Sequence, residues 1–310
     1  MIEIGFLVLL VISLFFLLYF ADMFVQNSVH VGLAYGISPF IIGFFLISLG
    51  TSLPELFLAI IAVLRDTSEL VGGNVIGSNI ANIGLVLGIA IIFAKQFTIK
   101  RRDLYQQSAL AGIIFLFLVV MSANGVITRI NAFLFLVLFI GVTYYLLQTQ
   151  QATPKQETKS VTLKTYGLII LGSIGLYASS EVAVYSVNEL VLTIAVFADA
   201  SIIGLTVIAI STSLPELSVA LSALKKNQYT LIVGNVLGSN MFNILLVFGI
   251  PALISPIILT THVLFFAIPV LVVLTICMFL FMFTEKRLDT WEGWVLFAGF
   301  ILFTLATLFL

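Results

Sequence analysis

Runs of about 20 apolar residues, separated by short polar stretches, recur along the whole chain, and each run is long enough to cross a hydrocarbon core of about 30 Å as a helix. Polar punctuation cuts the chain into ten runs, at 3–21, 38–64, 70–94, 104–123, 128–148, 164–185, 200–224, 229–255, 262–283 and 290–309. The opening stretch, "MIEIGFLVLLVISLFFLLYFADMF", has no basic leader and no small-residue cleavage site, and its apolar run exceeds the roughly 7–15 residues of a signal-peptide core. It therefore reads as the first spanning helix. One sustained polar stretch, "QTQQATPKQETKSVTLKT" from Gln148 to Thr165, falls close to the midpoint. It predicts a cytoplasmic linker over 150–163 between an N-terminal half, 1–149, and a C-terminal half, 164–310.

Composition sharpens this into an all-α integral membrane protein: 61% of the 310 residues are hydrophobic, 9% are charged and the mean hydropathy is +1.25, against about 25% charged in soluble domains. The net charge of −1 and the lack of a basic stripe leave nothing to bind nucleic acid. The single cysteine, Cys277, sits inside an apolar run, which excludes a disulfide framework or a thiolate metal site within one chain. The basic residues sort by side. Lys95, Lys100, Arg101, Arg102, Lys155, Lys159, Lys164, Lys225, Lys226, Lys286 and Arg287 fall between spans on one side, and only Arg65 and Arg129 on the other. Cytoplasmic loops collect Lys and Arg, so this sorting supports ten spans with both termini outside.

The chain repeats itself. "GTSLPELFLAI" from Gly50 returns as "STSLPELSVAL" from Ser211, and "GGNVIGSNIANIGLVLGI" returns as "VGNVLGSNMFNILLVFGI", at one ungapped offset of 161. The repeats cover about 41–89 and 202–250. Each half holds five predicted spans, an odd number, so equivalent residues enter the membrane from opposite sides. That is the inverted repeat of many secondary transporters, with a site near the midplane between discontinuous helices, here spans 2, 3, 7 and 8.

Pro54 and Pro215 each remove an amide and should free the carbonyls of Gly50 and Ser211. Thr51, Ser52, Glu55 and their counterparts Thr212, Ser213, Glu216 supply only oxygen ligands. Thr51 and Glu55 are four apart, as are Thr212 and Glu216, and share a face wherever helix persists. Asn74, Ser78 and Asn82, like Asn235, Ser239 and Asn243, form a polar stripe at intervals of four, while Gly73 and Gly77, and Gly234 and Gly238, allow close helix contact. A carboxylate at membrane depth costs on the order of 3 kcal/mol on insertion scales and marks a functional site. Two of them among hydroxyls describe a site for a hard cation, not for zinc or copper. Their charge is balanced by one Ca²⁺ or two Na⁺, and competition of that kind is the basis of exchange.

These motifs resemble the alpha-1 and alpha-2 repeats of the calcium/cation antiporter superfamily, most closely its prokaryotic sodium/calcium exchangers. The resemblance implies alternating access in which spans 1 and 6 slide across an eight-helix core, exchanging Na⁺ for Ca²⁺ with no bound cofactor. It implies a prokaryotic plasma (inner) membrane location and action as a monomer. Residue by residue, it makes Glu55 and Glu216 the main calcium ligands, with the carbonyls of Thr51 and Thr212. It assigns Ser52, Ser78, Ser213 and Ser239, with the carbonyls of Ser48 and Ala209, to sodium, and lines the centre with Asn82 and Asn243. Asn243 stands where potassium-dependent relatives carry Asp, Ser211 replaces a usual Gly, and Gly77 and Gly238 stand where the proton-coupled branch carries Glu.

Other readings are Ca²⁺/H⁺ exchange, since buried Glu pairs also take protons, potassium-dependent exchange, a cation channel, and an intramembrane hydrolase, for which neither histidine is placed. The chain is therefore not expected to be an enzyme. Asp22 and Glu181, nearly equivalent in the repeat, fall at span ends and are candidates for an outer cation entrance; His30 and His262 fall at span edges and read as interfacial.

Overall fold

Backbone in lipid must satisfy its hydrogen bonds internally, which a helix does within one segment, and the structure is helical almost throughout. It is a computed structural model that describes residues 2–94, 97–98, 112, 114–115, 118–120, 122–149, 161–194, 212–284 and 287–309. We label the helices α1 (Ile2–Ala34), α2 (Pro39–Leu64), α3 (Glu69–Phe93), α4 (Arg129–Thr149), α5 (Leu163–Ile194), α6 (Leu214–Lys225), α7 (Tyr229–Ile254), α8 (Val263–Ala267 continuing as Ile268–Thr284) and α9 (Thr290–Phe309). Eight of them, all but α6, are long and apolar enough to cross a membrane. The protein is a multi-pass membrane protein. Most of the predicted run 104–123, the first part of 200–224 and most of the 150–163 linker fall outside the described residues, and α6 is the described end of the second run.

The outer helices correct the predicted boundaries. α1 and α5 are 33 and 32 residues long and run well past the ends expected at 21 and 185. Polar residues did not stop α1 because they find partners on the helix and beside it. Asp22 Oδ2 accepts from Gln26 Nε2 at 2.7 Å, and its Oδ1 accepts from Ser222 Oγ at 2.9 Å and Lys226 Nζ at 2.5 Å. Asp22 thus meets Lys226 and is not free at a helix end as an entrance carboxylate would be. Glu181 is exposed on α5 and is not brought to it. His30 lies within the lengthened α1, whereas His262 does sit at a helix edge, its ring 5.0 Å from that of Phe266.

Spans 2, 3 and 8 are not broken as expected. Each stays helical from end to end and carries one π-helical turn, at Ile42–Ile47, Asn82–Leu87 and Asn243–Val247. A π turn adds a residue to the helical ring without surrendering the backbone hydrogen bonds, so it shifts side chains where lipid would punish a true break. α6 begins at Leu214, with Ser213 outside helical geometry (φ −89°, ψ 0°).

Element boundaries repeat at the offset that links the motifs. Ile2 and Leu163, Leu64 and Lys225, Ala81 and Phe242, Phe93 and Ile254, and Arg129 and Thr290 each differ by 161, the separation that also links Asn79 to Asn240 in a direct contact. The left-handed residues Asp66 (φ 58°) and Asn227 (φ 54°) fall at the same offset, closing equivalent turns. Four two-residue strands then tie the halves crosswise. β1 (Phe97–Thr98) pairs antiparallel with β4 (Arg287–Leu288), and β2 (Val126–Ile127) with β3 (Ile257–Ile258).

Helix contacts follow the small residues. A Cβ on Gly234 would run into the carbonyl of Phe40, and one on Gly238 would lie 2.6 Å from Ser48 Oγ and 2.9 Å from Phe44 Cα, so α7 seats on the backbone of α2 as the GxxxG spacing predicts. Gly88 of α3 meets the backbone of Gly293 and Phe297 on α9 in the same intimate way. On the outside, Gly172 and Gly175 of α5 lie against Phe24 and Phe20 of α1. α3 and α7 are therefore the buried centre, and α1 and α5 pack together at its side.

Candidate functional site

The first motif lies in α2, which continues as α-helix from Ser48 through Pro54. As expected, the ring of Pro54 leaves the carbonyl of Gly50 without its helical donor, and Ser173 Oγ on α5 donates to it at 3.4 Å. The helix persists, so Thr51, Ser52 and Glu55 share one face, all of them buried. Thr51 Oγ1 donates to the carbonyl of Ser48 at 3.3 Å, and Ser48 Oγ donates to the carbonyl of Phe44. In the second motif Pro215 falls in the first turn of α6, where a missing amide breaks no intrahelical bond. Glu216 is buried there as deeply as Glu55, at 1% exposure each. Ala209 and Ser211 lie outside the described residues, so the carbonyl expected to be freed by Pro215 does too.

The stripes on α3 and α7 bring the motifs together. Ser78 Oγ of α3 is 3.0 Å from Thr212 Oγ1, joining the first half to the second. The hydroxyls of Thr51, Ser52 and Ser239 lie beside the carboxylate of Glu216, and Glu216 is within Coulombic reach of Glu55. These approaches stop short of full hydrogen bonds: among the described residues, both carboxylates, the hydroxyls of Ser52, Ser213 and Ser239, and the amides of Asn74, Asn82, Asn235 and Asn243 have no partner. Each orphaned neutral group costs about 1–3 kcal/mol and each carboxylate more. Most of these atoms are oxygens, the ligand type that a hard cation coordinates.

Every described residue expected at the site is buried except Pro54 and Thr212, which are half-buried. Sequence reasoning missed Asn79 and Asn240. Both are buried, and Asn240 Nδ2 donates to the carbonyl of Asn79 at 3.4 Å, a contact between repeat-equivalent residues. They therefore meet where the halves face each other. Their signal was present, since "GSN" recurs at the common offset.

The family model described as sodium/calcium exchanger protein matches residues 5–148 and 164–309. The sodium/calcium exchanger MaX1 of Methanosarcina acetivorans is 29% identical over 98% of each chain. The putative antiporter CaxA of Alkalimonas amylolytica is 34% identical, covering 80% of this chain and 81% of its own. A solved structure of the sodium-calcium exchanger NCX_Mj, soaked with 2.5 mM Na⁺ and 0.1 mM Ca²⁺, superposes with a TM-score of 0.84 at 27% identity, over 97% of both chains.

Proposed function

The chain belongs to the sodium/calcium exchanger protein family, and from that premise we propose that it is a secondary active antiporter exchanging Na⁺ for Ca²⁺ by alternating access. The observation that carries this reading is the pair of buried, unpartnered carboxylates, Glu55 and Glu216, within reach of each other among unpartnered hydroxyl and amide oxygens. One Ca²⁺ neutralises both charges and takes six to eight oxygens. Two Na⁺ neutralise the same charges, so occupancy by one species excludes the other.

On this reading Glu55 and Glu216 hold calcium with the carbonyls of Thr51 and Thr212. The hydroxyls of Ser52, Ser78, Ser213 and Ser239, with the carbonyls of Ser48 and Ala209, serve sodium, and Asn74, Asn82, Asn235 and Asn243 line the centre. Ten spans in two inverted five-helix halves, 1–149 and 164–310, fit the crosswise strands. Paired loops must share a side, and ten spans place six helices between β1 and β4 and four between β2 and β3. Both are even numbers. The basic loops then face the cytoplasm, both termini lie outside, and the protein acts as a monomer in a prokaryotic plasma membrane.

A second reading is favoured by the same pair, because two buried carboxyls side by side can carry protons instead of sodium. Radiolabelled calcium uptake into liposomes of purified protein separates the two. An outward Na⁺ gradient is expected to drive uptake at neutral, symmetric pH. Uptake indifferent to Na⁺ but driven by a pH gradient replaces sodium with protons, and uptake driven by neither removes antiport.

A further inference from the structure

The two halves match at the cation cluster but differ at the far end of α6, the helix whose first turn carries Glu216. There Lys226 Nζ reaches Asp22 Oδ1 of α1 at 2.5 Å and Ser222 Oγ at 3.2 Å, and Ser222 Oγ donates to the same carboxylate oxygen at 2.9 Å. Gln26 holds the other oxygen at 2.7 Å. The carboxylate is thus gripped on both oxygens, and the pair is partly sheltered, with side-chain exposures of 28% for Lys226 and 45% for Asp22. Two residues further along α1, the ring of Phe24 lies 2.7 Å from where a Cβ on Gly50 would stand, directly before Thr51. The grip therefore holds in place the helix that covers the first cation motif.

Shifting by 161 residues gives the counterpart in the other half: Ala183 for Asp22, Ile61 for Ser222 and Arg65 for Lys226. The cation survives but its acid and hydroxyl do not. Ala183 is buried, Arg65 is exposed, and among the described residues Arg65 makes no ion pair. In an inverted-repeat antiporter the two access states exchange the conformations of the two halves. A contact available to one half alone has no equal in the opposite state and so biases the equilibrium between them. We propose that Asp22, Ser222 and Lys226 form a one-sided latch that holds α1 against the Lys226 end of α6, closes that face, and favours the state open to the other face. The latch rests on the alternating-access reading given above, and its residues position the gate without touching the cation.

Hydrogen–deuterium exchange of the ion-free protein in lipid nanodiscs tests it without requiring transport. The equivalent turns at 62–68 and 223–229 report the two faces. Asp22→Asn and Lys226→Gln are each expected to speed exchange at 223–229 and slow it at 62–68, by roughly fivefold on the scale of a partly exposed ion pair. The double variant should shift no further than either single one, and Lys226→Arg should stay near wild type. Ala183→Asp, which supplies the missing acid opposite Arg65, should shift exchange the other way. Unchanged exchange, faster exchange in both turns, additive single effects, or an Ala183→Asp shift in the same direction would each overturn the latch. Calcium flux measured in parallel keeps the two ideas apart: the exchange pattern without flux removes antiport and leaves the latch.

Discussion

Glu55 and Glu216 stand in the interior of an apolar protein with neighbours that approach and do not bond. Replacing either by Gln preserves shape and removes half the charge that a divalent ion needs. Glu55→Gln and Glu216→Gln should each lower calcium uptake by about a hundredfold or more, as the loss of a directly coordinating charge does; normal uptake in both variants would show that the site lies elsewhere. Both residues were legible in the sequence because a carboxylate in an apolar run has few innocent explanations and a duplicated one has fewer. Asn79 was passed over although "GSN" recurs at the common offset, because it falls outside the every-fourth-residue stripe of Asn74, Ser78 and Asn82. Asp22 was harder to read for another reason: its partners lie 200 and 204 residues away in the other half, so nothing local says that its charge is answered.

At the level of elements, the proline of the first motif sits in an unbroken helix, and its cost is met by Ser173 of a different helix. Pro54→Ala restores the amide, which then competes with Ser173 for the carbonyl of Gly50. Thermal unfolding should show stability equal to or above wild type, and Ser173→Ala, destabilising by about 1 kcal/mol alone, should cost little in the Pro54→Ala background. Equal loss in both backgrounds would mean that Ser173 does not serve that carbonyl. The seat of α7 on α2 gives a sharper test. Gly238→Ala drives a methyl into the backbone of Phe44 and onto Ser48 Oγ, and should lower stability by about 1–3 kcal/mol, seen as a lower melting temperature in detergent. The spacing of Gly234 and Gly238 revealed this contact in advance. The π turns were hidden, because their signature is a hydrogen-bond pattern and not a residue type, and so three helices read as broken were found whole.

For the whole molecule, a ligand that binds only the folded state stabilises it by mass action. Calcium at a hundred times its dissociation constant should add about 2.7 kcal/mol, read as a rise in melting temperature that Glu216→Gln abolishes and that sodium reproduces at higher concentration. A melting temperature indifferent to calcium would contradict the cluster's assignment. Eight of the predicted apolar runs are described as membrane-length helices, legible because lipid leaves few ways to arrange such a chain; the crosswise strands were beyond reach, because each is two residues long and its partner lies in the other half. Those strands also bear on how the protein comes into being. β1 and β2 leave the ribosome long before β4 and β3 exist, so an N-terminal half already in the bilayer must wait, its strand edges open, until residues 257–288 have been made. Synthesis cannot complete one half and then the other. The clasp closes last, and a chain cut short before it should be recognised as unfinished by the cell's membrane proteases.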